Sequence, residues 1–410
     1  MNDHPRRILI LMSDTGGGHR AAADAIIEAL AFAFPGRYAA TLFDAFKQAA
    51  LPPFDRLPSW YLPFTTYAEP LWHLLFRLTN NRLTKQLSQP LLKFFIGRNL
   101  RRFLREQSPD LVVTTHPIFN EFGRRALRAV GSHAPFVTVV TDLFDAHVLW
   151  FDSQVDLCTV PTEGARQFGI RFGMPKEKLC VVGEPVSLTF LDNGTTKTDA
   201  RAKLGLALDQ KTILLVGGGE GMGKLYEIAR AMDQARLPVQ LVVIAGRNAA
   251  LHKKLQSTHW QISVNAQGFV KNMPEWMRAA DVIITKAGPG TISEAIVCGL
   301  PILLSGFLPG QETGNVTFVE QNGLGVLRKN PDDIVTTLSQ WLAPGNTTIE
   351  KFAARARELA RPNAAIEIAK ALDELLNTST TTVSLQAGRR NFSSRLERWH
   401  RRQTLRGSSQ

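Results

Sequence analysis

Short apolar runs that end in glycine-rich turns and pass into helical periodicity recur along this chain, and they restrict it to parallel α/β architectures. The run ILILM at 8–12 ends in SDTGGGH and is followed by RAAADAIIEALAFAF, whose Ala, Ile and Leu return at helical spacing. Strand, glycine loop and helix together form the unit of a doubly wound sheet. Apolar runs at 111–115, 136–141 and 157–162 continue the alternation. A second set then begins: TILLVGGGEGMGK, VQLVVIAGR, QGFV, DVIITKAGPGT and PILLSG. Between the two sets, residues 191–205 are polar and lack an apolar period, as expected of a linker or exposed turn. The expectation is an α/β chain of two doubly wound, Rossmann-like domains, 1–190 and 191–376. Ligands bind such sheets at the carboxyl ends of their strands, so two that face each other share one cleft.

The 410 residues suit two large domains, and 44% apolar with 20% charged residues excludes a disordered or collagen-like chain. No apolar run approaches the roughly 18 residues of a membrane span. The expected location is therefore cytoplasmic, peripheral on the inner face of the cell membrane. Cys158, Cys180 and Cys298 are too widely spaced to suggest a disulfide framework or a zinc site.

The formal charge of +12 is unevenly distributed. Residues 47–105 hold ten Lys and Arg against two acids, and the tail 377–410 holds seven Arg against one Glu, leaving the remainder slightly acidic. The first segment interleaves its cations with aromatics, Trp60, Trp72, Phe94 and Phe95 among them, beside Arg98, Arg101 and Arg102. Such a mixture suits an anionic membrane surface: rings sink into the headgroup boundary while each cation near lipid phosphates contributes about 1 kcal/mol. A helix packed on its own domain with solvated arginines is the structural alternative, and nucleic acid is not the expected partner. The tail is polar and Thr-rich before its arginines, and is expected to be mobile or membrane-associated, with FSSRLERWHRR a candidate short basic helix.

Three glycine loops follow predicted strands, at 16–18, 217–223 and 288–290. Each presents backbone N–H groups at a helix N-terminus, where partial positive charge favours a phosphate or a developing anion. The middle one approaches a P-loop, but Leu225 stands where a hydroxyl must hold magnesium, which disfavours ATP hydrolysis. Met222 likewise spoils a dinucleotide fingerprint. Two loops in one half, with Glu294 one turn beyond the second and GQETGN at 310–315, suggest a pyrophosphate and sugar site. In the first half, Gly17 and Gly18 leave room for a substrate to approach His19. The helix dipole keeps that imidazole neutral, the state a general base needs. His116 and His147 also follow strands but lack glycine neighbours.

LMSDTGGGHRAAADAI, TVVTDL with His147 and Trp150 after it, LLVGGGEGMG, AGRN, GFV, ITKAGPGTISEA, GLPI and GQETGN resemble the motifs of the monogalactosyldiacylglycerol synthases and related diacylglycerol glycosyltransferases of the GT-B fold. The layout is similar, more distantly, to the N-acetylglucosaminyltransferase acting on the lipid-linked peptidoglycan precursor. The resemblance implies an inverting transfer of galactose or glucose from a UDP-sugar donor to the sn-3 hydroxyl of a diacylglycerol acceptor, with no cofactor and no metal. It implies His19 as base, Gly219, Glu220 and Gly221 against the pyrophosphate, and Phe269 and Val270 beside uracil. It further implies Gly290 and Thr291 at the phosphates, Glu294 on the ribose, Gln311 and Glu312 on sugar hydroxyls, and Lys286 aiding the departing UDP. The chain departs from the plant sequences in GEPV at 183–186, where Glu184 replaces a leucine, and in FDAH at 144–147, both expected on the acceptor side. Alternatives on the same fold are N-acetylglucosamine transfer to a polyprenyl pyrophosphate lipid and UDP-sugar epimerisation; a non-catalytic UDP-sugar-binding protein is a third.

Overall fold

The computed structural model describes residues 4–15, 17–191 and 194–381. Two six-stranded sheets, parallel throughout, organise them. The first contains β1 (Arg6–Met12), β2 (Tyr38–Asp44), β3 (Leu111–Thr114), β4 (Phe136–Val139), β5 (Leu157–Val160) and β6 (Leu179–Val181), in the order β2-β1-β3-β4-β5-β6. The second contains β7 (Lys211–Val216), β8 (Val239–Ile244), β9 (Ser263–Gln267), β10 (Val282–Lys286), β11 (Ile302–Gly306) and β12 (Gly325–Leu327), in the order β12-β11-β10-β7-β8-β9. Their central strands are continuous apolar runs because helices cover both faces of each sheet. Successive residues therefore feed opposite layers: Leu9 and Leu11 of β1 pack into one core, Ile8 and Ile10 into the other.

Helices that bear on function are α1 (Gly18–Ala33), α2 (Leu57–Tyr67), α3 (Glu69–Thr79), α4 (Arg82–Phe95), α5 (Gly97–Gln107), α6 (Pro289–Val297) and α7 (Ala364–Thr381). Leu92, Ile96, Leu100 and Leu104, on α4, α5 and their junction, close one layer of the first sheet. Ala23, Ile26 and Leu30 of α1 close the other together with Ile368, Leu372 and Leu376 of α7. The chain thus returns to the first lobe at its last described helix, although those residues fall within the 191–376 stretch expected for the second domain.

Strand order reverses once in each sheet. In the first, β1 lies between β2 and β3, so the loops leaving β1 and β3 diverge. In the second, β7 lies between β8 and β10 with the same effect. The glycine loops at 17–18, 217–223 and 288–290 follow β1, β7 and β10, which puts all three at the topological switch points where such sheets bind ligands.

Three strands escape the sequence pattern: β2, whose residues alternate in burial, and β6 and β12, each three residues long. The strand expected around QGFV lies earlier, at Ser263–Gln267. The 191–205 stretch is not merely a linker. Residues Lys197–Leu204 form a helix whose capping box joins Thr196 and Asp199 and whose end is Gly205 at φ 67°. It buries only Ala200 and Arg201, so no apolar period announced it; Arg201 is held instead by the buried Asp281. Residues 382–410, including the candidate basic helix, lie outside the described residues.

Candidate functional site

On the first lobe the site begins where β1 ends. Gly17 turns the chain through a left-handed conformation, φ 81°, and no side chain caps α1. The N-terminus of α1 is therefore open, and nothing stands within 4 Å of where a Cβ of Gly17 or Gly18 would lie. His19 follows in the first turn. The Thr115 hydroxyl donates to its carbonyl at 3.0 Å, and the Thr141 hydroxyl lies 3.3 Å from its Nδ1. His116 packs edge-on at 4.6 Å between ring centroids, and Trp150 lies 5.9 Å away. Burial pushes His19 down to about 4, so its imidazole is neutral at neutral pH. His116 is held further down by burial and by His19; its Nδ1 accepts the Ile118 N–H at 3.3 Å, which leaves Nε2 to face Thr15 Oγ1 at 3.1 Å. Lacking a glycine neighbour did not keep His116 from the site. The loops after β1, β3 and β4 converge there, across about a hundred residues of sequence.

Asp142 braces the far side of this cluster by accepting the Trp150 indole N–H at 2.6 Å. Burial raises it to about 6, with Asp145 nearby adding to the effect. Sequence reasoning named Trp150, and Asp142 within TVVTDL, only as parts of a motif.

On the second lobe, the loop 217–223 closes so tightly at Gly217 and Gly221 that only glycine fits at those two positions. A Cβ on Gly221, which sits at φ 64°, would come 2.0 Å from the Ala245 carbonyl oxygen. Gly219 is exposed, and the Glu220 carboxylate accepts from Arg247 at 2.6 Å. The Arg247 guanidinium lies 4.6 Å over the Phe269 ring, itself 53% exposed, while Val270 packs on the core. Arg247, unrecognised beyond its motif, cancels the charge of an acid expected against a pyrophosphate. Pro289 opens α6 as its first residue, where a missing N–H costs nothing. Gly290 has open space beside it and Thr291 is partly buried. Glu294, one turn on, is pushed up to about 8 by burial.

Gln311 and Glu312 are engaged in this structure. The Tyr61 hydroxyl donates to Gln311 Oε1 at 3.1 Å, the Lys286 ammonium pairs with Glu312 Oε1, and the Leu308 N–H donates to Oε2 at 2.9 Å. Lys286 and Glu312 therefore form one ion pair. Tyr61 also shows that α2 reaches across to the second lobe, as does α3, whose Phe76 and His73 pack against Gly310. Leu143 N–H donates to Asn315 Oδ1 at 3.3 Å, a further tie between lobes. Between α1, the 184–187 segment and α6 lies a cavity of about 340 Å³, lined by Gly18, Glu184, Gly290 and Glu294 among others.

The basic aromatic segment folds into α2 to α5, and it divides the expected membrane residues. Trp60 and Phe94 are exposed, 47% and 71%, as are Arg98 and Arg102. Trp72 is not free: it packs between Tyr61 and Phe64 with its indole N–H buried. Phe95 stacks near Phe54, centroids 4.3 Å apart, and packs on the core, while Arg101 is half-buried beside Gly97. Leucines take the outward positions instead: Leu71, Leu74, Leu75 and Leu78 on α3, and Leu83, Leu87 and Leu91 on α4. No helix among the described residues is long and apolar enough to cross a membrane.

The family model for monogalactosyldiacylglycerol (MGDG) synthase matches residues 19–186, and that for the glycosyltransferase family 28 C-terminal domain matches residues 212–375. A Spinacia oleracea protein described as monogalactosyldiacylglycerol synthase, chloroplastic, is 39% identical over 383 residues, which span 91% of this chain and 73% of that relative. Among solved structures, Acinetobacter baumannii MurG matches with a TM-score of 0.57 at 16% identity, covering 90% of this chain and 100% of its own. The Anabaena protein HepE in complex with UDP-glucose matches at 0.52 and 15%, covering 91% and 99%. These likenesses show the two-lobed GT-B fold. The description of the spinach relative as chloroplastic overturns the position expected from sequence, on the inner face of the cell membrane.

Proposed function

The chain belongs to the monogalactosyldiacylglycerol synthase family, and from that premise we propose that it transfers galactose, or glucose, from the UDP-sugar to the sn-3 hydroxyl of 1,2-diacylglycerol at an anionic membrane surface, giving a β-monoglycosyldiacylglycerol. As a glycosyltransferase of this family it is an enzyme of galactolipid synthesis. The observation that carries the finer reading is a neutral imidazole, His19, in the first turn of α1, directly after Gly18, which lines the same cavity as Gly290 at the N-terminus of α6.

In this reaction His19 Nδ1 holds its proton toward Thr141 Oγ1, which leaves Nε2 to accept the proton of the diacylglycerol hydroxyl. The freed oxygen attacks C1 of the hexose on the face opposite UDP; the C1–O bond to the pyrophosphate breaks and the anomeric centre inverts. Charge arriving on UDP meets the exposed N–H groups at Gly219 and the N-terminus of α6 at Gly290 and Thr291. Phe269 and Val270 border uracil, Glu294 accepts from the ribose, and Gln311 and Glu312 turn to the hexose hydroxyls once their ties to Tyr61 and Lys286 open, which leaves Lys286 for the phosphates. The reading needs neither a metal nor a cofactor. Exposed leucines on α3 and α4, flanked by Arg77, Lys93, Arg98 and Arg102, support docking on the lipid surface that supplies the acceptor.

Incubation with labelled UDP-galactose and UDP-glucose in turn, on vesicles containing diacylglycerol and phosphatidylglycerol, tests this directly. A labelled monoglycosyldiacylglycerol from at least one donor is expected. Label appearing only in a polyprenyl lipid, in a soluble epimer or nowhere would overturn the assignment.

A further inference from the structure

Glu184 sits where the two lobes meet, and it is 6% exposed. Its Oε2 is buried with no hydrogen-bond partner among the described residues. An unpaired buried oxygen costs about 1–3 kcal/mol, more if charged, so this one calls for a partner, a water or a ligand group. Burial, together with Asp142 and Glu294, raises Glu184 well above the ordinary carboxylate range, and no cation offsets this. The proton so retained lets a second carboxyl stand beside Glu294 without full repulsion.

The cavity that both residues line has a distinct chemistry. Its walls are small, from Gly18, Ala21, Ala25 and Gly290, and its charged lining is acidic throughout: Asp24, Glu28, Glu184 and Glu294. Glu28 is already occupied by the Ser187 hydroxyl at 2.8 Å and the Leu188 N–H at 2.9 Å, and Asp24 is exposed. Glu184 and Glu294 therefore remain for a ligand. Carboxyls without a basic side chain among them select hydroxyl groups that donate, not phosphates. A metal ion is not indicated, since no group of three or more His, Cys, Asp or Glu is placed to hold one among the described residues. A volume of about 340 Å³ admits a pentose ring, and Gly290 places the phosphate-facing helix N-terminus next to it.

We propose that Glu184 is a donor-binding residue, its carboxyl, turned to the cavity on binding, and the Glu294 carboxyl together holding the vicinal diol of the nucleotide's ribose. This moves Glu184 from the acceptor side, where the sequence placed it, to the donor side, and it rests on the UDP-sugar reading above.

Affinities of UDP, 2′-deoxy-UDP and 3′-deoxy-UDP, measured calorimetrically on the full chain, test it for wild type, Glu184→Gln and Glu184→Leu. Wild type is expected to prefer UDP over at least one deoxy analogue by about tenfold, as for a site built to bond a hydroxyl. Glu184→Leu should bring that preference within about threefold, while Glu184→Gln, which keeps both a donor and an acceptor and the side-chain volume, should retain most of it. Thermal melts confirm that both variants fold. A leucine variant with the wild-type preference would sink the assignment of Glu184 alone, and a wild type that binds all three equally would remove both Glu184 and Glu294 from the ribose. A wild type that does not bind UDP would instead sink the donor reading on which it rests.

Discussion

His19 shows what burial does to a single side chain. Its ring is held near pH 4 because the charged form would be desolvated between His116 and Trp150, whereas the same residue in the unfolded chain titrates near 6.5. A histidine whose folded value lies below its unfolded one contributes stability that is complete above pH 6.5 and is lost as pH falls from there through about 4, because the unfolded chain then binds the extra proton. NMR titration of the ring should accordingly show it neutral at pH 5. His19→Ala should lower transfer at least 10²-fold at neutral pH while leaving the affinity for UDP within about twofold, the signature of a lost proton acceptor with the donor site intact. A variant that loses UDP binding and turnover together would place His19 elsewhere in the reaction. The residue itself was legible, since glycines before a helix start expose whatever follows them. Its neighbours were not: Thr141, His116 and Trp150 are brought in from separate loops by strand order, which no local spacing encodes.

At the scale of elements, α3 and α4 carry apolar residues that their own lobe does not use. Leu71, Leu74, Leu75 and Leu78 recur at the spacing of one face of α3, and Leu83, Leu87 and Leu91 do so on α4, continued by Phe94. All eight are more than 40% exposed, so each can enter a headgroup boundary and gain a part of the about 1.5–3 kcal/mol that full burial of an exposed side chain contributes. Leu74→Glu with Leu87→Glu should therefore weaken sedimentation with phosphatidylglycerol vesicles by at least tenfold at unchanged melting temperature, because neither side chain supports the core. Unchanged vesicle binding in that double variant would remove this face from the membrane. Composition had pointed to this segment through its aromatics and arginines. Which side chains face outward was decided by packing: Phe95 and Phe103 were drawn inward, Phe103 stacking on Phe43 at 3.8 Å between centroids.

For the whole molecule, the last described helix carries the chain from the second lobe back to the first. α7 lies against α1 and adds Ile368, Leu372 and Leu376 to the same layer as Ile8 and Ile10, while Asp373 accepts from Tyr38 and pairs with Arg37 at 2.9 Å. Leu372 is fully buried, and Leu372→Ala should cost about 2–5 kcal/mol in chemical denaturation, destabilising the first lobe although the residue lies beyond the second lobe's strands. A loss below about 1 kcal/mol would mean that α7 is peripheral to that core. The sequence by itself determined the parallel α/β class, the two sets of strands and the three glycine loops, because periodicity and glycine placement act within a few residues of one another. Only the tertiary structure decided that α7 belongs to the first lobe, that His116 stands beside His19, and that Glu184 shares a cavity with Glu294. Those outcomes depend on which strand pairs with which and on how two lobes meet, where residues about a hundred or more positions apart compete for the same buried space.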